Sequence, residues 1–187
     1  KDLTFSEKAH KTLSVEWDPV VFFEDEYFLG ESFPKGLWPM QKEIIRRFEL
    51  GIPEKWDVIA WMEAREHAYN HESLDEWLAD NHQYYTELVM AAGMRSSKTT
   101  ITGGLGLLGA HQLLTLPNPG EYFGLRKGQE LFIINVATSD EQAHDTIYAV
   151  EAGLMRYSPY FASLRMGSKY NEFRFPDKDF VIRSGGS

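Results

Sequence analysis

A loop rich in small residues, AAGMRSSKTT (residues 91–100), carries the side chains best suited to chemistry in this sequence. Its Lys-Thr pair, Lys98 and Thr99, matches the end of the phosphate-loop pattern G-x-x-x-x-G-K-[ST]. In that register the two glycine positions hold Ala92 and Ser97. A phosphate needs backbone N–H groups at a helix N-terminus, a cation and a hydroxyl group, and no proline removes a donor here. The spacing therefore predicts a phosphate-binding loop despite the two replaced glycines.

The polar side chains of the predicted loop have separate roles. We expect Lys98 to contact the β- and γ-phosphates of a nucleotide, and Thr99 to ligate Mg²⁺ through its hydroxyl group. Arg95 brings a second cation to the same place, and Gly93 keeps an adjustable backbone one position after Ala92. The residues expected to surround the phosphates are Ala92, Gly93, Met94, Arg95, Ser96, Ser97, Lys98, Thr99 and Thr100.

The alternative is a helix that begins with a Lys-Thr pair by chance, and the elements around the loop argue against it. Apolar patterns before and after the loop predict two strands, two helices and a hairpin in alternation. They are a strand at 87–93, a buried helix at 99–116, a strand covered on both faces at 130–138, a helix at 138–159 and a hairpin at 171–186. Such alternation predicts an α/β three-layer sandwich with a mainly parallel sheet.

The part of the chain before the loop is predicted to be helical. WPMQKEIIRRFELG, residues 38–51, has a proline suited to a first helical turn and a glycine suited to an end. Its apolar stripe is Met40, Ile44, Ile45 and Phe48. We expect an N-terminal arm at 1–36, a helical segment at 37–86, and the loop with the first core strands at 87–187.

The composition excludes several classes of protein. The chain of 187 residues has a net charge of −9, which argues against a surface that binds nucleic acid everywhere by charge. It has no cysteine, so disulfides and thiolate metal sites are excluded. Its most apolar stretch is too short and too polar for a membrane span, and we expect no membrane partner.

Taken together, these motifs resemble the large subunits of terminases, the ATP-driven motors that package DNA into phage capsids. The resemblance covers about residues 36–187 and rests on four phrases: AAGMRSSKTT, LWPMQKEII, IINVATSDEQAHDTIYAVEAGLMRYSPYF and FRFPDKDFVIRSGGS. It implies a P-loop ATPase fold that binds ATP and Mg²⁺. It also implies that Gln41 recognises adenine, that Lys98 acts in catalysis, and that Arg95 senses the γ-phosphate.

The chain also departs from the terminase pattern. Ser97 replaces the second loop glycine, and no apolar run followed by Asp-Glu occurs between Lys98 and Ser187. The resemblance therefore implies the N-terminal part of an ATPase domain, without the water-activating carboxylate and without a nuclease domain. We expect weak or no ATP turnover from this chain by itself.

A terminase-like subunit implies a specific set of partners. These are double-stranded DNA, the portal protein of the procapsid, a small terminase subunit and further copies of the chain in a ring, all in the host-cell cytoplasm during virion assembly. Two other interpretations of the function stay open. One is a helicase-like or kinase-like P-loop enzyme, and the other is a non-catalytic module with a degenerate loop.

Overall fold

The computed structural model describes residues 18–50, 52–53, 82–83, 87–90 and 97–186. The chain divides into two compact units, one formed by residues 1–21 and 37–90 and the other by residues 22–36 and 91–187. A short helix, α1 (Val20–Glu24), includes the first point of division. No helix in the described part combines the length and the apolar character that a membrane span requires.

The first unit contains the predicted helix before the loop. This helix is α2 (Pro39–Leu50), and the prediction of a helix there is confirmed. Two short strands, β1 (Ile52–Pro53) and β2 (His82–Gln83), pair antiparallel in the same unit.

The buried face of α2 differs from the predicted apolar stripe. Glu43 and Ile45 are both 0% exposed, whereas Met40 is exposed. The carboxylate of Glu43 can be buried because Arg47 Nε donates a hydrogen bond to its Oε1 at 2.6 Å. Burial raises the pKa of Glu43, and the hydrogen bond from Arg47 opposes that rise. The buried face of α2 thus includes an ion pair one helical turn apart, which the apolar pattern did not predict.

The apolar run before the loop does not form the predicted strand in its described part. Residues 87–90 have no strand pairing, and the side chain of Val89 is 89% exposed. A short apolar run specifies a strand only where a neighbouring strand accepts its backbone hydrogen bonds. The rest of that predicted strand, residues 91–93, lies outside the described residues.

The second unit is a mixed α/β structure, which confirms the predicted fold class. Its elements follow the predicted order of buried helix, strand, helix and hairpin. They are α3 (Lys98–Thr115), α4 (Pro119–Tyr122), β3 (Leu131–Ala137), α5 (Asp140–Ala143), a π-helical turn (His144–Tyr148), α6 (Ala149–Arg156), α7 (Pro159–Ala162), β4 (Gly167–Lys169), β5 (Glu172–Phe175) and β6 (Phe180–Gly186).

The sheet of the second unit has four strands in the order β3-β6-β5-β4. β3 pairs parallel with β6, while β6 with β5 and β5 with β4 pair antiparallel. Among the described strands the sheet is therefore mixed rather than mainly parallel. The reason is that the predicted hairpin, β5–β6, contributes its antiparallel pair to this same sheet.

One face of β3 is covered and the other is exposed. On the covered face, Ile133 approaches α3, and its Cδ1 lies 3.7 Å from where a Cβ on Gly109 would be. On the other face Ile134 and Val136 are each 61% exposed. The prediction that both faces of this strand are covered is therefore wrong for the part of the chain that the structure describes. A continuous apolar run does not show how many layers a sheet packs against.

The second helical layer begins with a capped turn after β3. Ser139 Oγ accepts a hydrogen bond from the N–H of Gln142 at 3.1 Å, which satisfies a donor at the start of α5. The helical path continues through the π-helical turn into α6 and ends at Arg156. Ser158 then caps α7, whose first residue is Pro159.

Candidate phosphate-binding site

The backbone bends sharply just before α3. Ser97 has φ 57° and ψ 22°, which is the left-handed region, and Lys98 is the first residue of the helix. The N–H of Ile101 donates to the carbonyl of Ser97 at 3.0 Å, which closes the first helical turn. Glycine adopts the left-handed conformation without strain, whereas for other residues this conformation costs free energy. The position that holds glycine in the common pattern thus has a glycine-like conformation here, although serine occupies it.

The start of α3 provides the chemistry that an anion needs. Lys98, Thr99 and Thr100 are its first three residues, with Lys98 exposed and the two threonines half-buried. Backbone N–H groups in a first helical turn have no acceptor within the helix, and they carry the positive end of the helix dipole. The first turn of α3 contains no acidic residue that would neutralise this end. The arrangement favours a bound anion beside a cation and a hydroxyl group.

The structure places only part of the predicted loop. Ser97, Lys98, Thr99 and Thr100 lie together at the start of α3. Their roles toward phosphate and Mg²⁺ stay predictions. The other predicted loop residues lie outside the described residues, so their roles also stay predictions. They are Ala92, Gly93, Met94, Arg95 and Ser96.

Gln41, the predicted adenine ligand, has a local role in α2. Its Oε1 accepts a hydrogen bond from the N–H of Trp38 at 2.8 Å, which is half of a capping box. Gln41 belongs to the first unit and the start of α3 to the second. Its role toward adenine stays a prediction.

The hydroxyl group of Thr99 suits a magnesium ion that is held mainly by nucleotide phosphates and water. Within the described ranges, no three histidine, aspartate or glutamate side chains are grouped to hold a metal. A protein site of several carboxylates is therefore not the arrangement in this part of the chain, and the hydroxyl of Thr99 is the group expected to reach the ion.

A buried carboxyl group lies behind the first half of α3. Glu151, on α6, is 0% exposed. The side-chain amide of Asn135 donates to its Oε1 at 3.0 Å and its Oε2 at 2.9 Å, and lies 3.4 Å from Ser184 Oγ. Burial raises the pKa of Glu151 to about 7, and the hydrogen bond from Asn135 opposes the rise.

This carboxyl group is not among the residues predicted from the sequence. The signal that could have revealed it is the pair of glycines at 103 and 106, which keeps one stripe of α3 free of side chains. A Cβ on Gly106 would lie 3.0 Å from Glu151 Oε1, so the glycine makes room for the carboxyl group.

The chain matches a known protein family. Residues 7–183 match the model of a family described as "Uncharacterized protein MJ0330, N-terminal P-loop domain". The comparisons with curated proteins and with solved structures found no match. The match covers most of the chain and confirms the P-loop part of the prediction. It contains nothing specific to terminases, so that narrower assignment stays a prediction.

Proposed function

This chain belongs to that P-loop family, and we propose that it binds ATP with Mg²⁺ at the N-terminus of α3. The observation that carries the proposal is the left-handed Ser97 directly before Lys98. This bend gives the position of the second loop glycine the conformation that glycine favours, and it lies directly before the N–H groups of the α3 start, which can face one anion.

In the proposed complex, each residue at the start of α3 has a distinct part. Lys98 lies beside the β- and γ-phosphates and offsets their charge. The hydroxyl of Thr99 would be a ligand of Mg²⁺, which would offset the negative charge of the phosphates. The N–H groups of the first turn hold the phosphate oxygens, and Arg95 supplies a second cation. These groups bind and orient the triphosphate.

Titration of a fluorescent ATP analogue with Mg²⁺ tests the site. We expect saturable binding by the chain, and a loss of at least about tenfold in affinity for Lys98→Ala, because a direct charged contact to phosphate is removed. Lys127→Ala is the matched control, since Lys127 is an exposed lysine elsewhere in the same unit. Equal weakening by both variants would mean that general charge attraction, and not the α3 site, holds the nucleotide.

We further propose that hydrolysis of the bound ATP drives movement of double-stranded DNA in a packaging motor. The support is the resemblance of the loop and of the segment VATSDEQA to terminase large subunits. In this proposal the partners are double-stranded DNA, a portal protein, a small terminase subunit and further copies in a ring, in the host-cell cytoplasm. Phosphate release by the full-length protein tests it: stimulation by double-stranded DNA supports a packaging motor.

The same assay distinguishes the other candidate functions. Stimulation only by single-stranded nucleic acid would favour a helicase-like enzyme. Nucleotide binding with no turnover under any of these conditions would favour a non-catalytic module, for which the replaced glycines at Ala92 and Ser97 are the argument.

A further inference from the structure

The carboxyl group of Glu151 lies where it can influence the nucleotide site. A Cβ on Gly103 would lie 3.6 Å from Glu151 Cγ, and a Cβ on Gly106 would lie 3.0 Å from its Oε1. At a rise of 1.5 Å per residue, these two glycines lie about 7.5 Å and about 12 Å along α3 from Lys98. The carboxyl group is therefore on the order of 10 Å from the end of α3 where a phosphate would bind.

In the described part of the chain, the groups around Glu151 provide no positive charge to it. Its neighbours are Gly103 and Gly106 on α3 and Asn135 on β3. Ser184 on β6 lies next to the side-chain amide of Asn135. The charged residue of α3 is Lys98 at its start, and its other titratable residue, His111, has a pKa lowered to about 4 by burial.

The two strands add no charge at this place. β3 contains no charged residue, and Arg183 of β6 donates to Glu172 at 2.9 Å. Arg183 also lies over the ring of Phe132, on the face of the sheet opposite to Glu151. A single amide group shared between two carboxyl oxygens leaves an ionised carboxylate with unfilled acceptor sites. Burial with one donor group and no cation disfavours the ionised form.

We propose that Glu151 is a positioning residue of the nucleotide site: its protonated form lets the first half of α3 pack closely against α6, and bound nucleotide favours that form. The proposal rests on the proposed nucleotide site. A bound triphosphate and an ionised Glu151 repel each other through the poorly solvated interior. By linkage, nucleotide binding takes up a proton, and protonation strengthens binding.

The direction of the pH dependence follows. Affinity is highest at pH values below the pKa of Glu151 in the free protein, which is about 7. It falls as pH rises through that value and levels off above the higher pKa of the bound protein. For charges about 10 Å apart, the repulsion corresponds to a total loss on the order of tenfold in affinity.

Isothermal titration calorimetry with a non-hydrolysable Mg²⁺-ATP analogue tests the proposal. The titrations run at pH 6, 7 and 8 in buffers of different ionisation enthalpy. We expect the wild-type chain to take up a fraction of a proton on binding near pH 7 and to weaken toward pH 8. Glu151→Gln, which imitates the protonated form, should bind with the wild-type affinity of pH 6 at all three pH values. The proton uptake of this variant on binding should be lower than that of the wild type by the fraction of a proton that Glu151 takes up.

Glu141→Gln is the matched control, because Glu141 is an exposed carboxylate on the same helical path. It should keep the wild-type pH profile. Identical profiles of wild type and Glu151→Gln, with equal proton uptake, would overturn the role of Glu151 while leaving the nucleotide site intact. If Glu151→Gln does not fold, an absence of proton uptake by the wild type would still overturn it. No binding by the wild type at any pH would overturn the nucleotide site and, with it, this role.

Discussion

At the scale of single residues, Ser97 is a position where conformation and residue type disagree. A non-glycine residue in the left-handed region costs about 1–2 kcal/mol. Ser97 has no side-chain hydrogen bond that caps α3 and offsets this cost. Such local strain persists where the surrounding structure requires it, and it is often found at ligand-binding sites.

Ser97→Gly should therefore stabilise the fold. Relief of the left-handed strain outweighs the extra entropy that glycine gives the unfolded chain, so we expect the free energy of unfolding to rise by about 0.5–1 kcal/mol. Ser97→Val is the opposing variant and should destabilise, because a β-branched side chain fits φ 57° poorly. Urea denaturation of the three proteins measures both changes. A loss of stability in Ser97→Gly would show that the serine side chain contributes something that its backbone geometry does not reveal.

Part of this site could be predicted from residue types alone. The Lys-Thr pair and the apolar pattern after it predicted a helix from residue 99, and the structure begins that helix at Lys98. The left-handed backbone of Ser97 could not be predicted, because serine rarely adopts it and the motif signals it with a glycine that is missing here. Gln41 shows a related limit, since a glutamine at the third position of a helix can cap the helix or bind a ligand.

At the scale of elements, the glycines of α3 show how closely this helix is packed. Each interior glycine costs about 1 kcal/mol relative to alanine, so four of them need a reason. A Cβ on Gly104 would lie 2.3 Å from Phe23 Cε1, and one on Gly103 would lie 3.1 Å from Val150 Cγ1. Gly109 is different, because its nearest neighbour would be Ile133 Cδ1 at 3.7 Å, an ordinary contact.

Two substitutions on this one helix should therefore have opposite effects. Gly104→Ala forces the buried ring of Phe23 to move and should cost about 1–3 kcal/mol. Gly109→Ala adds an ordinary contact and a better helix former, and should stabilise by up to about 1 kcal/mol. Thermal or urea unfolding of the two variants and the wild type measures both changes in stability. Equal effects would contradict the assigned packing of α3.

The elements of the second unit were largely predictable, because their patterns are local. Helical spacing, a capping serine and a turn at PDKD give α3, the path through α5 to α6, and the β5–β6 hairpin. The apolar run at 87–90 and the outer face of β3 were not predictable. Whether an apolar segment pairs, and whether one or two layers cover it, depends on neighbours that a local pattern does not contain.

At the scale of the whole molecule, two buried titratable groups are tied to α3 from different sides. Glu151 lies against its glycines, and His111 lies in α3 among aromatic rings. The ring centroids of Phe22, Phe28 and Tyr160 are 5.3, 5.2 and 5.0 Å from that of the imidazole. Burial raises the pKa of Glu151 from 4.5 to about 7 and lowers that of His111 from 6.5 to about 4. Neither could be identified from its sequence neighbours, because burial arises only from the assembled fold.

These two groups should give the fold opposing pH dependences. The contribution of Glu151 to the stability of the fold is fully present below about pH 4.5 and is lost as pH rises to about 7. That of His111 is present above about pH 6.5 and is lost as pH falls to about 4. Each group changes the free energy of unfolding by on the order of 3 kcal/mol. Between about pH 4.5 and 6.5 the two changes have opposite signs and largely cancel in the wild type.

Removing either group should reveal how the other group makes the free energy of unfolding change with pH. Relative to wild type, Glu151→Gln should gain stability as pH rises from 4.5 to 7, because the variant lacks the loss of stability that Glu151 causes in the wild type over this range. His111→Phe keeps an aromatic ring in the cluster and should gain relative stability as pH falls from 6.5 to 4. Urea denaturation at five pH values between 4 and 8 measures both differences. Profiles parallel to wild type in both variants would mean that neither group changes its pKa on folding, and the buried positions of both would then be wrong.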